Sequence, residues 1–261
     1  MKNQKLISVV VPFFNANDFI EDLFSGLSQN SEVIGEVIFV VDNGSDAPSI
    51  PTHDCGFEVT IVQTPYKTEN GAGLLRPIGF DLAKFRFVMF LDPDDYYIPD
   101  ALTGYVEKVL SQNLAFSFAG VRKVDNNGRL IGSYIPKVNK HDVQGLLKKH
   151  YTIYCVSVIV DKSRIGEIPT TDLRKRNDYF AWYHVVMFCL ERELQWGAVD
   201  LLIVNHRFHA NSLTSNVFSS VIWYYRFLRK INLSRGKSLR VLVPYGYNTF
   251  LRRILHRGES T

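Results

Sequence analysis

Short apolar runs alternate with amphipathic segments along the first part of the chain. Four runs are rich in β-branched and aromatic residues and end in turn-forming residues, which predicts buried strands. These strands are Ile7–Phe13, Glu36–Val41, Phe57–Gln63 and Phe87–Leu91. Helices are predicted between them at about Phe19–Gln29 and Leu74–Lys84. Because parallel neighbouring strands need crossover helices, the alternation predicts an α/β fold with a doubly wound, mostly parallel sheet.

The pattern changes after Asp100. The predicted elements that follow are a helix at Ala101–Gln112, a hairpin of Leu114–Val124 and Arg129–Ile135, a strand at Ile153–Val160, a buried helix over residues 178–193 and a strand at Gln195–Val204. The sequence contains no internal repeat and no low-complexity linker.

The fourth predicted strand ends abruptly in carboxylates. Asp92, Asp94 and Asp95 follow the apolar run, and Pro93 ends the strand. Open α/β sheets bind their ligands at the carboxyl ends of the strands. Three carboxylates this close repel one another unless a cation lies among them, so the pattern indicates a divalent metal that holds a phosphorylated substrate. A solvated, Asp-rich turn is the alternative.

Length and composition are those of an ordinary globular protein, with 261 residues of which 46% are hydrophobic and 21% charged. No apolar run reaches the ~18 residues of a membrane-spanning helix. The N-terminal apolar run has no small-residue cleavage site after it, so we do not expect a signal peptide. The three scattered cysteines, Cys55, Cys155 and Cys189, indicate neither a disulfide framework nor a zinc cluster. They fit a reducing cytoplasm.

Positive charge is concentrated at the C-terminal end. Residues 221–261 contain nine lysines and arginines but one acid, Glu259, while the rest of the chain is net acidic. Aromatic and aliphatic residues alternate with the basic ones there, which is typical of helices that bind an anionic membrane surface. Packing on the protein's own domain, or on a second subunit in a homodimer, is the alternative. We do not expect nucleic-acid binding.

Five motifs in register give a more specific interpretation. They are Ile7–Asn15, Val40–Ser45, Gly71–Gly79, Leu91–Asp95 and Arg176–Tyr179. In order and spacing they resemble the motifs of bacterial family-two glycosyltransferases with the GT-A fold, of the type that builds lipopolysaccharide, capsule and related surface glycans. The resemblance covers about residues 5–215. The chain departs from the usual pattern at Asn43, Pro77, Phe85 and Asn177, where aspartate, asparagine, glycine and glutamate are common.

The resemblance also implies a domain organisation. It predicts a GT-A domain, with a Rossmann-like nucleotide-binding sheet, over residues 1–215. Residues 1–100 would form the half that binds the nucleotide sugar, and residues 101–215 the half that binds the acceptor. A basic amphipathic helical tail would follow over residues 216–261.

For the donor site, the resemblance implies a role for each matching residue. Asp42 would accept the ring N–H of uracil or a similar base, beside a wall formed by Pro12, Phe14 and Asn15. Asp92 would contact the ribose, and Asp94 would contact a manganese or magnesium ion directly. Asp95 would bind this ion through water or, alternatively, cap the next helix. Further donor contacts are expected at Arg76, Arg207 and His209. The alternatives are a loop-capping role for Asp42, core packing for Phe14 and a structural turn at residues 206–209.

For the transfer step, the resemblance assigns the general base to Asp178. Its carboxylate would take the proton of the acceptor hydroxyl, which attacks the anomeric carbon opposite the diphosphate and inverts its configuration. The simplest alternative is an acid that caps the helix predicted to begin there.

These expectations combine into one predicted function. The chain would be a metal-dependent, inverting hexosyltransferase that uses a UDP-linked sugar and a glycan or lipid-linked acceptor, in the cytoplasm at the inner face of the membrane. A sugar-phosphate nucleotidyltransferase is one rival, although Pro12–Asn15 is not the glycine-rich basic loop of that class. A catalytically silent scaffold subunit with the same fold is the other.

Overall fold

The computed structural model describes residues 4–65, 67–68, 71–138, 143–148, 152–208 and 217–257. Its strands are β1 (Ile7–Phe13), β2 (Ile34–Val41), β3 (Glu58–Gln63), β4 (Phe87–Phe90), β5 (Tyr96–Tyr97), β6 (Leu114–Val124), β7 (Leu130–Tyr134), β8 (Val158–Asp161) and β9 (Gln195–Arg207). Its α-helices are α1 (Ile20–Ser28), α2 (Ala72–Leu82), α3 (Ala101–Ser111), α4 (Val143–Lys148), α5 (Asn177–Glu191), α6 (Val217–Lys230) and α7 (Arg235–Arg257). Short 3-10 helices lie at Asn17–Phe19 and Cys155–Ser157.

The strands form one sheet in the order β3-β2-β1-β4-β8-β6-β9-β5, with β7 paired to β6 outside this path. The pairs β3·β2, β2·β1 and β1·β4 are parallel, as is β6·β9, and the other pairs are antiparallel. Every residue of β1, β2 and β4 is buried, as their continuous apolar runs predict. The predicted third buried strand is different, because β3 is an edge strand with Ile61 exposed.

Helices cover both faces of this sheet. Successive residues of β1 point to opposite faces, so that Val9 packs with α1 and α3 while Val10 packs with α2 and α5. On the second face α2 lies very close to the strands, since a Cβ atom on Gly79 would lie 2.3 Å from Val10 Cγ1. This three-layer arrangement confirms the predicted doubly wound α/β fold.

The acid-rich segment between β4 and β5 is held at both ends. β4 is hydrogen bonded between β1 and β8, and the two-residue strand β5 pairs Tyr96 with Asn205 and Tyr97 with Val204 of β9. Tyr97 is fully buried. The carboxylates at 92–95 therefore lie on a short connection between two anchored strands.

One predicted strand begins later than expected. The apolar run predicts a strand from Ile153, but residues Cys155–Ser157 form a 3-10 helix and β8 starts at Val158. The Ser157 N–H donates to the carbonyl of Tyr154 (3.0 Å), and the Tyr105 hydroxyl donates to the Ser157 carbonyl (3.1 Å). The segment is buried all the same, so its composition follows from burial and not from strand geometry.

The C-terminal helices pack on the protein itself. Tyr224, Phe227 and Leu228 of α6 are buried in a cluster with Tyr179 and Phe180 of α5. Of the alternatives left open by the sequence, packing on the protein's own domain accounts for this side of α6. In the ranges described above, no helix combines the length and the hydropathy needed to cross a membrane.

Candidate active site

The loops after β1 and β2 are bonded to each other at the carboxyl edge of the sheet. The Asn15 N–H donates to Ser45 Oγ (2.9 Å), and Asn15 Oδ1 accepts the Asp46 N–H (3.0 Å). Asn15 itself has a positive φ of 45°, a conformation that asparagine tolerates better than most residues. Asn15 and the loop that begins at Asp42 therefore form one unit.

Asp42 is buried at the end of β2, and a single residue satisfies both of its oxygens. The Thr68 N–H donates to Asp42 Oδ1 (2.8 Å) and the Thr68 hydroxyl donates to Oδ2 (3.0 Å). The loop is closed by the Asp42 carbonyl, which accepts the Ser45 N–H (3.0 Å). The side chain is therefore oriented by the segment after β3, and it does not cap its own loop.

The proposed wall beside the base is partly open to solvent. Phe14 is 45% exposed, with Lys67 Nζ 5.4 Å from its ring centroid. Pro12 lies within β1, is buried and pairs with Val40. Phe14 is therefore not packed in the core, which was the alternative for this residue. Pro12, in contrast, is packed in the core.

Arg76 of α2 forms an ion pair with Asp92 and lines the same cleft as Asp178. Its Nη2 lies 2.5 Å from Asp92 Oδ1, and both side chains are largely buried. Burial lowers the pKa of this guanidinium, but Asp92 and Asp178 raise it above its usual value. Arg76 thus contacts Asp92 directly and is influenced by the charge of Asp178, although these two acids are far apart in sequence.

Asp178 lies in the first turn of α5, next to a cleft that Arg76, Gly73, Cys155 and Trp182 also line. The N-cap position belongs to Arg176, and no side chain caps the helix there. The capping role considered from the sequence is therefore not the role of Asp178. Asn177 supports this turn, since its Oδ1 accepts the Asp178 N–H (2.7 Å).

Asp95 is held differently from the other two acids of its segment. It is fully buried, its Oδ1 accepts the Arg207 N–H (2.7 Å), and its Oδ2 lies 2.9 Å from His206 Nδ1. Burial raises the pKa of Asp95 to about 6, although the hydrogen bond from His206 lowers it. Direct contact with a metal ion is predicted for Asp94, which is partly exposed. For Asp95 the predicted roles are metal binding through water or capping of the next helix, and its bonds to Arg207 and His206 favour neither.

Arg207 and His206 point to opposite sides of β9. Arg207 is only 6% exposed; its Nη2 donates to Asp22 Oδ2 (2.7 Å), and its guanidinium lies 5.0 Å from the Phe19 ring centroid. This position does not favour the predicted diphosphate contact by Arg207. His206 faces the acids instead. Burial lowers its pKa, but Asp95, Asp92 and Asp94 raise it above the usual value. His209, the other predicted contact, lies outside the described residues.

No group of three or more His, Cys, Asp or Glu side chains within the described part of the chain is arranged to hold a metal ion. Two of these acids instead have a basic partner: Asp92 pairs with Arg76, and Asp95 lies beside His206.

The acids at the carboxyl ends of β2 and β4 and at the start of α5 belong to three of the five sequence motifs. The sequence matches the model of the family described as "Glycosyl transferase family 2" over residues 8–184. The chain belongs to glycosyl transferase family 2. The family predicted from the five motifs is thereby confirmed.

Relatives of this family-two glycosyltransferase are named for surface-glycan synthesis. TuaG of Bacillus subtilis (strain 168), named as a glycosyltransferase of teichuronic acid biosynthesis, is 27% identical over 259 residues, which are 97% of this chain and 100% of TuaG. WfaP of Escherichia coli, named as a UDP-Glc:alpha-D-GlcNAc-diphosphoundecaprenol beta-1,3-glucosyltransferase, is 23% identical over 252 residues, 95% of each chain.

Solved structures with the same fold include TarS of S. aureus. Residues 1–349 of TarS superpose with a TM-score of 0.61 at 16% identity, covering 92% of this chain and 70% of TarS. The same TarS fragment in complex with UDP-GlcNAc gives a TM-score of 0.58 at 16% identity, covering 92% and 71%. At this identity the likeness establishes the fold alone, and it agrees with the predicted GT-A architecture.

Two residues of this glycosyltransferase site were not predicted. Thr68 lies in a loop without periodicity, and nothing in the sequence links it to Asp42. His206 could have been selected over Arg207, because side chains alternate along a strand and β9 extends through both residues. That choice required knowing which face of β9 meets Asp95.

Proposed function

We propose that this family-two glycosyltransferase moves a sugar from a UDP-linked donor to a hydroxyl of a lipid-linked or polymeric surface glycan, with inversion at the anomeric carbon. The observation that carries the proposal is that Arg76, which forms an ion pair with Asp92 at the end of β4, lines one cleft together with Asp178. The names of WfaP, which uses UDP-Glc and a diphosphoundecaprenol-linked sugar, and of the TarS complex with UDP-GlcNAc support the donor and acceptor classes.

Donor binding would begin with the base. Asp42 keeps unused lone pairs beside its two hydrogen bonds from Thr68, so it can accept a ring N–H of uracil. The exposed Phe14 ring offers an apolar surface for the base, and the hydrogen bond from the Asn15 N–H to Ser45 Oγ fixes the loops after β1 and β2. Arg76 holds the Asp92 carboxylate at the end of β4, where the ribose and diphosphate would follow.

The carboxylates of Asp92 and Asp94 suit a divalent cation of the magnesium or manganese type, because such ions prefer oxygen ligands and accept phosphate oxygens of the donor as further ligands. When bound, the cation would neutralise the charge of the departing diphosphate. Asp95 does not fit as a direct ligand, since its oxygens are taken up by His206 and Arg207 in a buried setting. We assign Asp95 a structural role: its bonds to His206 and Arg207 hold the segment that carries Asp94.

Asp178 would act as the general base. Its carboxylate takes the proton of the acceptor hydroxyl while the oxygen forms a bond to the anomeric carbon and the bond from that carbon to the diphosphate breaks. Arg76, which interacts with both Asp178 and Asp92, keeps the carboxylates from repelling each other across the cleft. The acceptor approaches from the face opposite the leaving group, so the product has the inverted configuration.

The first test is Asp178→Asn in an assay of UDP release from a panel of UDP-sugars with manganese. We expect transfer to fall at least ~100-fold, the usual contribution of a general base, while UDP affinity stays within about twofold. Asp81→Asn, which changes an exposed acid on α2, is the matched control and should behave like the wild type.

The same assay separates the rival functions. Pyrophosphate chemistry would indicate a nucleotidyltransferase, and the absence of turnover with every donor would indicate a silent scaffold. Full activity of Asp178→Asn would remove Asp178 from the mechanism. Loss of donor affinity on addition of a chelator is expected if a cation joins donor and protein, whereas unchanged affinity would argue against the cation.

A further inference from the structure

The start of α5 is bonded to the C-terminal helices. The Arg176 guanidinium donates through Nη2 to the hydroxyl oxygen of Tyr245 on α7 (2.7 Å), and it lies 5.4 Å from the ring centroid of Tyr179. Lys175 Nζ donates to Ser219 Oγ on α6 (3.1 Å). The segment that leads into Asp178 is therefore attached to helices that lie some forty to seventy residues further along the chain.

Arg176 occupies a backbone conformation that needs such support. It is the N-cap residue of α5 with φ 68° and ψ 19°, in the left-handed region that is unfavourable for a residue with a Cβ atom. A strained conformation of this kind persists when the surroundings hold it. Because Asp178 follows two residues later, the backbone at Arg176 sets the direction in which α5, and with it Asp178, begins.

Tyr245 is itself rigidly placed. It is buried, and its ring stacks on that of Tyr224 with centroids 4.0 Å apart and an interplanar angle of 16°. Tyr224 in turn donates its hydroxyl to the carbonyl of Leu147. The Tyr245 hydroxyl thus presents a fixed acceptor to Arg176. It comes from a part of the chain beyond residues 8–184, over which the family model matches.

We propose that Tyr245 is a positioning residue for the transfer reaction: by holding the Arg176 side chain, it fixes the first turn of α5 and the orientation of the Asp178 carboxylate. The proposal rests on the proposed role of Asp178 as general base. If it holds, the C-terminal helix α7 helps to position the general base.

Tyr245→Phe tests the proposal, because it removes the hydroxyl and keeps the stacked ring. We expect kcat to fall at least fivefold while the donor KM and the Kd for UDP are unchanged, since Asp42 and Asp92 are not attached to α7. The matched control is Tyr225→Phe, which removes a tyrosine hydroxyl elsewhere on the C-terminal helices, on α6. It should leave kcat unchanged.

Arg176→Met is the second variant, and it serves also if Tyr245→Phe folds poorly. It keeps an unbranched side chain over the Tyr179 ring and removes the donor. The double variant should lose no more kcat than Arg176→Met alone, because both changes break the same bond. Wild-type kcat in Tyr245→Phe, or additive losses in the double variant, would overturn the proposal. An inactive Asp178→Asn beside a fully active Tyr245→Phe would refute Tyr245 alone, whereas an active Asp178→Asn would refute the proposed base.

Discussion

The buried carboxylate of Asp42 illustrates how single residues prepare the site. A buried carboxylate is stable only when hydrogen-bond donors surround it, and Thr68 provides two from one residue. A carboxylate has about four lone-pair sites, so these bonds orient Asp42 without saturating it. Thr68 therefore does for Asp42 what Arg76 does for Asp92: it fixes an acid before the donor arrives.

At the residue scale we predict that Thr68→Val weakens UDP binding. Valine has nearly the shape of threonine but lacks the hydroxyl, so Asp42 keeps the backbone N–H and loses the second donor. The expected loss is about 1 kcal/mol, or roughly fivefold in Kd, measured by titration calorimetry with UDP. Thr60→Val, on the edge strand β3, is the control and should bind UDP like the wild type. An unchanged Kd in Thr68→Val would mean that the hydroxyl does not position Asp42.

At the scale of elements, the contact of α1 with β5 determines where the acid-rich segment lies. A Cβ atom on Gly26 of α1 would lie 2.7 Å from the Tyr97 nitrogen and 2.9 Å from its carbonyl oxygen. Both are backbone atoms, which cannot turn away as a flexible side chain can. Because Tyr96 and Tyr97 follow directly after Asp95, this close contact lies next to the end of the acid-rich segment.

Gly26→Ala should therefore destabilise the protein even though alanine favours helices. Overpacking of a buried contact typically lowers the free energy of unfolding by about 1–3 kcal/mol, and we expect a value in this range from chemical denaturation. Gly104→Ala is the matched control: it lies in α3 with open space around its Cα, so it should be neutral or stabilising by up to ~1 kcal/mol. Equal stability of the two variants would contradict the close contact.

The predictability of the elements follows from their length and burial. Continuous apolar runs identified β1, β2 and β4 within a few residues, because strands buried on both faces carry no polar alternation. β5 has only two residues and no periodicity to detect, and it was not predicted. The edge position of β3 was also missed, since local sequence does not say which strand has a single neighbour.

For the site, the positions of the acids were predictable but their surroundings were not. Acids at the ends of strands were found because the carboxyl ends of parallel strands share an edge. The environment of each acid was not, since it depends on long-range pairing. The burial of Asp95 depends on β9 lying beside β5, more than a hundred residues away, and the same pairing turns Arg207 toward Asp22 and away from the acids.

At the scale of the whole molecule, the C-terminal helices have two different sides. The buried side of α6 packs on α5, as described above. On α7, Leu239 is 54% exposed and Val243 is 73% exposed, and the intervening Arg240 is exposed as well. Ile222 and Arg226 of α6 are likewise exposed. Apolar and basic side chains at helical spacing suit the boundary between lipid headgroups and acyl chains.

We predict that this exposed face of α7 binds anionic membranes, which would bring the enzyme to a lipid-linked acceptor. Each basic residue near an anionic surface contributes about 1 kcal/mol, so binding to vesicles of phosphatidylcholine with phosphatidylserine should be strong at low salt and weak at high salt. Val243→Asp should reduce the bound fraction in vesicle sedimentation at least tenfold, because it replaces an apolar contact by a negative charge at the surface.

Leu130→Asp, which alters a 63% exposed residue on β7, is the control for an exposed apolar side chain elsewhere. Equal loss in both variants, or binding that ignores lipid charge, would contradict a specific role for α7. Self-association that Val243→Asp abolishes, without any vesicle binding by the wild type, would assign the same face to a second subunit instead.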